Sequence, residues 1–357
     1  MERTPLRVGL VGFGFAGKTF HAPLIRTTPG LQLAVVSSSD AAKVHVGLGP
    51  DVQVVADARL LATHPDVDLV VIASPNATHF PLARAALAAG KHVVVDKPFT
   101  LDAREAAQLA RMPGPGQVLS VFHNRRWDSS TLGTRRMLAE GRLGTIRHAA
   151  MHFDRFRPVP QARWREDDAP GGGIWLDLGP HLLDEALLYF GTPLAIQADI
   201  VQLRPGARTD DAFLAVLRYA DGLRVELGAS MLAAAPRPRV VLHGTRGSYV
   251  KQSLDPQEAA LKAGLLPDGS ARWGVDAEDG IATVEENGTL DTRPVATPDG
   301  AYQEYYAAVR NAILGKGANP VNAGQALTVM RLLDAGRASA RQRREIMLDD
   351  ILTDDVA

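Results

Sequence analysis

Three clusters of residues have the types and the spacing to do chemistry. The first, Gly12-Phe13-Gly14-Phe15-Ala16-Gly17, is a G-x-G-x-x-G pattern between the apolar run Leu6 to Val11 and the helix-like Lys18-Thr19-Phe20-His21. Each glycine answers a physical demand of a strand–helix junction that receives a pyrophosphate. Gly12 suits the tight turn, Gly14 lets the backbone approach the anion, and Gly17 permits close packing of helix on strand. The alternative is an ordinary glycine turn. Position decides between them, because this loop closes the first strand of a βαβ series.

The second cluster lies at the ends of later apolar runs. In sheets of this kind ligands bind beyond the carboxyl ends of the strands. There the sequence carries Ser74-Pro75-Asn76-Ala77-Thr78-His79, Asp96-Lys97-Pro98 and His123-Asn124-Arg125-Arg126-Trp127. Lys97 falls where a nicotinamide and its substrate would meet. A lysine there can exchange a proton with a hydroxyl. A solvated surface charge is the competing reading, and the proline after Lys97, which restricts it to extended geometry, weighs against that. Asp96, Asn124 and Arg126 join the expected cofactor rim.

The third cluster runs from Gly171-Gly172-Gly173 to Asp184. Asp177 and His181 are four apart, so on a helix they share a face, with Asp184 on the same side. A carboxylate one turn from an imidazole can orient it. Zinc would need a third ligand, and no H-x-x-x-H pattern accompanies the pair. Pro180 suits the first turn of a helix starting near Gly179, which would loosen the i,i+4 relation; a capping Asp with a structural His is the plainer alternative.

Nucleotide choice is read at the end of the second strand. NAD-binding versions place an acidic residue there for the ribose hydroxyl. Here Ser37-Ser38-Ser39 follows Val36, with Asp40 and Lys43 beyond. Three hydroxyls and a cation suit a 2′-phosphate, hence NADP rather than NAD. Asp40 would oppose this unless it caps the next helix; a Ser-rich turn ahead of such a cap is the competing reading.

Elements must hold these groups in place. Apolar runs at Leu31 to Val36, Asp68 to Ala73, His92 to Val95 and Val118 to Phe122 alternate with helical patterns at Leu82 to Ala89 and Leu101 to Arg111. That predicts a doubly wound parallel sheet. After about Asn124 the pattern changes. A helix at Ser129 to Glu140 stops at Gly141, and strand-like runs follow at 145–156, 195–203, 212–219, 223–231, 239–243 and 248–252. Turns at Asp221-Gly222 and Arg246-Gly247 make the later runs a largely antiparallel sheet. Residues 264–301, rich in Gly, Pro, Asp and Glu, read as loops. Helices are expected at 302–314 and 323–341. The fold class is therefore α/β, with residues 1–124 as a nucleotide-binding domain and 125–357 as a substrate and oligomerisation domain whose late helices pack back on the first.

Composition excludes other classes. The chain has 357 residues, 46% hydrophobic and 22% charged, and 39 basic against 40 acidic residues give a net charge of -1. Nothing in that balance calls for a nucleic-acid or membrane partner. Without cysteine there are no disulfides, thiolate nucleophiles or iron–sulfur clusters. With no signal-like N-terminus and no long apolar span, a cytoplasmic protein is expected. On the runs 212–219 and 223–231 both faces carry apolar residues, Phe213, Ala215, Leu217 and Tyr219 opposite Leu214 and Val216. A second copy covering one face is expected, as a homodimer or homotetramer.

Together, the glycine loop, Ser74-to-His79, Asp96-Lys97-Pro98 and Gly173-to-His181 resemble the glucose–fructose oxidoreductase and inositol dehydrogenase family over nearly the whole chain. The runs 18–25, 120–129, 152–158 and 246–258 are most similar to the NADP-linked scyllo-inositol dehydrogenase branch. The resemblance implies a Rossmann domain followed by an open-sheet α/β domain, and an NAD(P)-dependent oxidoreductase acting on a polyol. The family's usual Glu-Lys-Pro is here Asp96-Lys97-Pro98, one methylene shorter with the charge retained. Its catalytic lysine, aspartate and histidine fall on Lys97, Asp177 and His181, its nucleotide loop on Pro75, Asn76 and His79, and a Trp-Arg pair on Trp164-Arg165. Alternatives within and beyond this class are an aldose or other sugar as substrate, and a non-catalytic dinucleotide sensor. An intact proton-transfer set argues against the sensor.

Overall fold

The computed structural model describes residues 4–162, 164–167 and 171–349. The chain divides into two compact units, each assembled from separate segments. The first comprises Met1–Trp127, Pro256–Gly274 and Ala301–Leu327; the second comprises Asp128–Asp255, Val275–Gly300 and Thr328–Ala357.

The first unit is built on a six-stranded parallel sheet. Its strands are β1 (Leu6–Val11), β2 (Leu31–Ser37), β3 (Gln53–Val55), β4 (Leu69–Ile72), β5 (His92–Val95) and β6 (Leu119–Val121), ordered β3-β2-β1-β4-β5-β6. The central strands are buried on both faces, as β4 (LVVI) and Val93 to Val95 illustrate. Such strands need a cover on each side, supplied by α1 (Ala22–Thr27), α2 (Ala41–Leu48), α3 (Ala58–Ala62), α4 (His79–Ala88) and α5 (Ala103–Ala110). A π-helical turn at Gly17–His21 leads into α1. Aspartates start three of the helices: Asp40, Asp57 and Asp102 accept the N–H groups of Lys43, Arg59 and Glu105 at 2.8–2.9 Å. The strand order reverses between β2-β1 and β4-β5, the switch point at which such sheets bind ligands.

The second unit carries α6 (Ser129–Glu140), β7 (Ile146–His152) and α7 (Ile174–Phe190). There follow β8 (Ala195–Val201), β9 (Ala212–Arg218), β10 (Arg224–Ser230), β11 (Val240–Gly244), β12 (Gly247–Lys251), β13 (Gly280–Glu286), β14 (Thr289–Val295) and β15 (Ile346–Met347). Nine strands pair in the order β14-β13-β12-β11-β7-β10-β9-β8-β15, all antiparallel except β10 against β7. Helix α7 packs on β9 and β10. Phe213, Ala215 and Leu217 of β9 are buried, and on the opposite side of the strand Leu214 is 44% exposed.

The remaining helices are α8 (Gln257–Lys262), α9 (Gln303–Ile313) and α10 (Ala323–Gln342). Two sequence expectations need correction. Residues 264–301 are not all loop, because β13 and β14 form a hairpin there around Asn287 and Gly288, both with positive φ. Asn-Gly is a preferred two-residue hairpin turn. Its outer strand is exposed almost throughout, so no apolar alternation betrays it. Second, α7 begins at Ile174, not near Gly179, and Pro180 lies inside it. Among the described residues no helix is long and apolar enough to cross a membrane.

Candidate functional site

In the first unit the glycine loop has the shape its spacing predicts. Gly12 has φ +93°, and a Cβ there would meet the Ala73 carbonyl oxygen at 2.9 Å. A Cβ on Gly17 would lie 2.0 Å from the Gly12 oxygen, so only glycine closes this turn. A Cβ on Gly14 meets nothing within 4 Å, which leaves the loop's outer side open to a large group. The cradle therefore fits a dinucleotide pyrophosphate. Phe13 is buried, whereas Phe15 is 52% exposed and its ring faces the Lys262 ammonium at 5.3 Å.

At the end of β2, Ser37 is buried and Ser39 is exposed. The Ser38 hydroxyl accepts the Asp40 N–H at 3.1 Å. Asp40 caps α2 through the Lys43 N–H, so its carboxylate is engaged at the helix start, and the Lys43 side chain is exposed.

The rims of β4 and β5 are tied together by a buried histidine. His79 Nδ1 lies 2.8 Å from the Pro98 carbonyl and Nε2 lies 3.0 Å from the Ser74 carbonyl. Burial depresses the His79 pKa, against the opposing pull of Asp96 and the carbonyls. The neutral ring thus leaves one nitrogen facing a carbonyl without a proton to share. Asn76 is buried, and Ser74 bonds the Thr78 hydroxyl at 2.6 Å. Lys97 is half-buried, and its peptide bond to Pro98 is cis. Its N–H donates to Asp96 Oδ1 at 2.8 Å. Burial alone would raise the Asp96 carboxyl, but His21, Lys97 and His79 around it outweigh that and hold it below the usual range. Asn124 and Arg126 are buried; the Arg126 guanidinium bonds the Pro320 carbonyl at 2.9 Å and Gln325 at 3.3 Å.

In the second unit Asp177 and His181 sit one turn apart on α7, as do His181 and the buried Asp184. The helix starts early because a distant residue caps it. Asp210 accepts the Trp175 N–H at 2.6 Å through its carboxylate and the Ile174 N–H at 2.9 Å through its carbonyl. Gly173, with φ +91°, lies so close to the Asp210 carboxylate that a Cβ would meet it at 2.0 Å. Burial raises the Asp210 carboxyl despite these N–H donors. Arg165 Nε lies 3.5 Å from Asp177 Oδ1, an ion pair that spacing along the chain does not suggest. The Trp164 side chain lies outside the described residues. Among the described residues no group of three or more His, Asp or Glu could hold a metal ion.

Sequence reasoning missed His21, Tyr306 and Asp210. His21 stood in the run 18–25 without an assigned role, and its position one helical turn beyond the glycine loop was the available signal. Asp210 and Tyr306 carry no local signal, because their partners are remote in sequence.

Known proteins bear on this geometry. Residues 6–121 match the model of an oxidoreductase family with an NAD-binding Rossmann fold, and residues 132–250 match the GFO/IDH/MocA C-terminal domain. The chain is 52% identical over 345 residues to the uncharacterized oxidoreductase YdgJ of Escherichia coli (strain K12), spanning 96% of this chain and 99% of YdgJ. It is 34% identical over 347 residues to scyllo-inositol 2-dehydrogenase (NADP(+)) IolW of Bacillus subtilis (strain 168), spanning 96% of each. A solved oxidoreductase-type structure from Yersinia pestis superposes with a TM-score of 0.91 at 52% identity, covering 96% of this chain and 97% of that one.

Proposed function

Because the chain belongs to the GFO/IDH/MocA family of oxidoreductases, we propose that it is an NADP-dependent dehydrogenase. Its substrate in this reading is a cyclic polyol, scyllo-inositol or a close relative, interconverted with the ketone. The observation that carries the chemistry is Lys97, held at the end of β5 by a buried carboxylate in the unit that also contains the glycine cradle. The likeness to IolW supports the polyol and the nucleotide.

When bound, the nicotinamide takes or returns the hydride. Gly12 to Gly17, with Ser74, Pro75, Asn76 and the Asn124–Arg126 turn, would hold the dinucleotide, and Ser37 to Ser39 with Lys43 would meet a 2′-phosphate. Lys97 donates to the reacting oxygen and steadies the negative charge that develops there. His181 accepts the hydroxyl proton as the general base. Asp177, neutralised on one side by Arg165, orients the polyol and the imidazole.

The test is a panel of polyols and sugars with NADP and NAD, followed by reduced-nicotinamide absorbance. One charge-assisted and two hydroxyl contacts are worth about 2–4 kcal/mol together. That is roughly a 30- to 1000-fold preference for NADP in kcat/KM, which Ser38→Asp and Lys43→Ala should each erode. Equal use of both nucleotides by the unmodified protein refutes the NADP assignment, and dinucleotide binding without turnover refutes the enzyme.

The same proposal includes a homodimer or homotetramer. Leu203, Leu214 and Leu232 stand 54%, 44% and 38% exposed on the second unit. A monomer by light scattering at micromolar concentration would remove it.

A further inference from the structure

Behind Lys97 the first unit encloses a chain of polar groups that the reaction does not use. Asp96 holds the Lys97 N–H with Oδ1. Its Oδ2 faces His21 Nε2 across 3.7 Å. His21 is completely buried, with the Phe122 ring 4.3 Å away on one side. Its Nδ1 lies 2.6 Å from the hydroxyl of Tyr306, which is also completely buried.

Hydrogen accounting fixes the tautomer. Burial, with Tyr305 and Asp96 nearby, pushes the Tyr306 phenol well above its ordinary pKa, so it keeps its proton. Among the described residues, His21 Nδ1 is the one hydrogen-bond partner of that hydroxyl. A fully buried hydroxyl that keeps its proton is satisfied by donating it to the acceptor beside it. Nδ1 therefore accepts, and the proton of the neutral ring sits on Nε2, the nitrogen turned toward Asp96. At 3.7 Å the contact is too long for a direct hydrogen bond, and its influence on the carboxylate is electrostatic.

We propose that His21, fixed in its Nε2–H tautomer by Tyr306, is a positioning residue that holds the Asp96 carboxylate against the Lys97 backbone and beside the Lys97 ammonium. Resting on the assignment of Lys97 to the reacting oxygen, this adds two residues that never touch substrate. The groups that bear on Asp96 come from four elements: His21 from the π-turn, His79 from α4, Lys97 from the β5 rim and Tyr306 from α9. Of these, His21 lies between the carboxylate and the tyrosine. Without it a buried carboxylate faces an apolar wall and loses its charge or its orientation. Either loss withdraws negative charge from Lys97, which then gives up its proton at lower pH.

The experiment reads Lys97 without any substrate. Full-length protein is labelled with trace acetic anhydride across a pH series, and Lys97 acetylation is quantified by mass spectrometry. In His21→Leu the Lys97 labelling rate at neutral pH should rise about tenfold, the effect of losing one nearby opposite charge. His21→Gln should restore the original profile, because its amide donates toward Asp96 and accepts from Tyr306. Histidine-ring 15N spectra, with His21 identified by its loss in His21→Gln, should show the Nε2–H form, and Tyr306→Phe should relax that preference. A folded His21→Leu protein with an unchanged Lys97 profile, or a ring protonated on Nδ1, overturns the proposal. Where His21→Leu does not fold, Tyr306→Phe decides: faster labelling supports the chain and an unchanged rate overturns it. A protein that shows this labelling pattern yet oxidises no polyol loses the proposed function and keeps this one.

Discussion

At the end of β5, polar contacts hold Lys97 in place. Asp96 takes its N–H, His79 bridges the Pro98 and Ser74 carbonyls, and His21 with Tyr306 stands behind. Along α7, packing does the same for His181. Trp175, 1% exposed, meets Phe213 edge-on at 4.9 Å and donates its indole N–H to the Leu333 carbonyl. Gly179 and Gly336 leave the room its ring fills. Two groups proposed to act on the same hydroxyl therefore depend on different forces. One answers to changes of charge, the other to changes of volume.

The largest expected effect separates the two groups directly. Lys97→Met should lower kcat roughly a hundredfold or more with dinucleotide binding little changed; a near-normal kcat would exclude Lys97 from the chemistry. His181→Ala should also lower kcat with dinucleotide binding little changed; a near-normal kcat would exclude His181 from the chemistry.

Next in size is a test of the packed side. A Cβ on Gly336 would lie 2.3 Å from the Trp175 ring. Gly336→Val should cost about 1–3 kcal/mol in denaturant unfolding, while Lys97 labelling keeps its pH profile. Undiminished stability would mean that α7 is not held by this contact.

The smallest effect probes the polar side through pH. His79 has a folded pKa below its ordinary value of 6.5, chiefly from burial. The folded state thus binds fewer protons than the unfolded one. The stability from the neutral ring is complete above that value and is lost as pH falls through the lower folded one. The melting temperature should therefore drop from about pH 7 to about pH 5, and His79→Gln should flatten that drop. An equally steep drop in the variant would assign the acid sensitivity elsewhere.

How much of this was legible in the sequence follows the range of the forces involved. The strands β1, β2, β4, β5 and β6 are mostly apolar runs, and such runs announce themselves. The C-terminal end of α6 is legible because Gly141, at φ +66°, is a local stop. The position of Lys97 just beyond the end of β5 is legible in the same way. The short β3, with only partly buried residues, gave no such run. The β13–β14 hairpin is hidden because β14, rich in Thr, Asp and Arg, is exposed almost throughout and shows no apolar alternation. The start of α7 is not legible locally because its cap, Asp210, arrives from another part of the chain. Local rules put Pro180 in a first turn, and this remote cap overrides them. The pairing of Arg165 with Asp177 and of His21 with Tyr306 is likewise a product of tertiary approach, which spacing does not encode.

The segmented make-up of the two units has a consequence for the order of events on the ribosome. The nucleotide sheet is complete once β6 has been made, yet Tyr302, Tyr305, Tyr306 and Val321, all fully buried in the same unit, are translated nearly two hundred residues later. Until they emerge, His21 lacks its phenol and Phe122 lacks the rings of Tyr305 and Tyr306 that pack on it at 4.9 and 5.9 Å. The nascent nucleotide unit therefore waits, with a polar and aromatic patch uncovered, until α9 has been made.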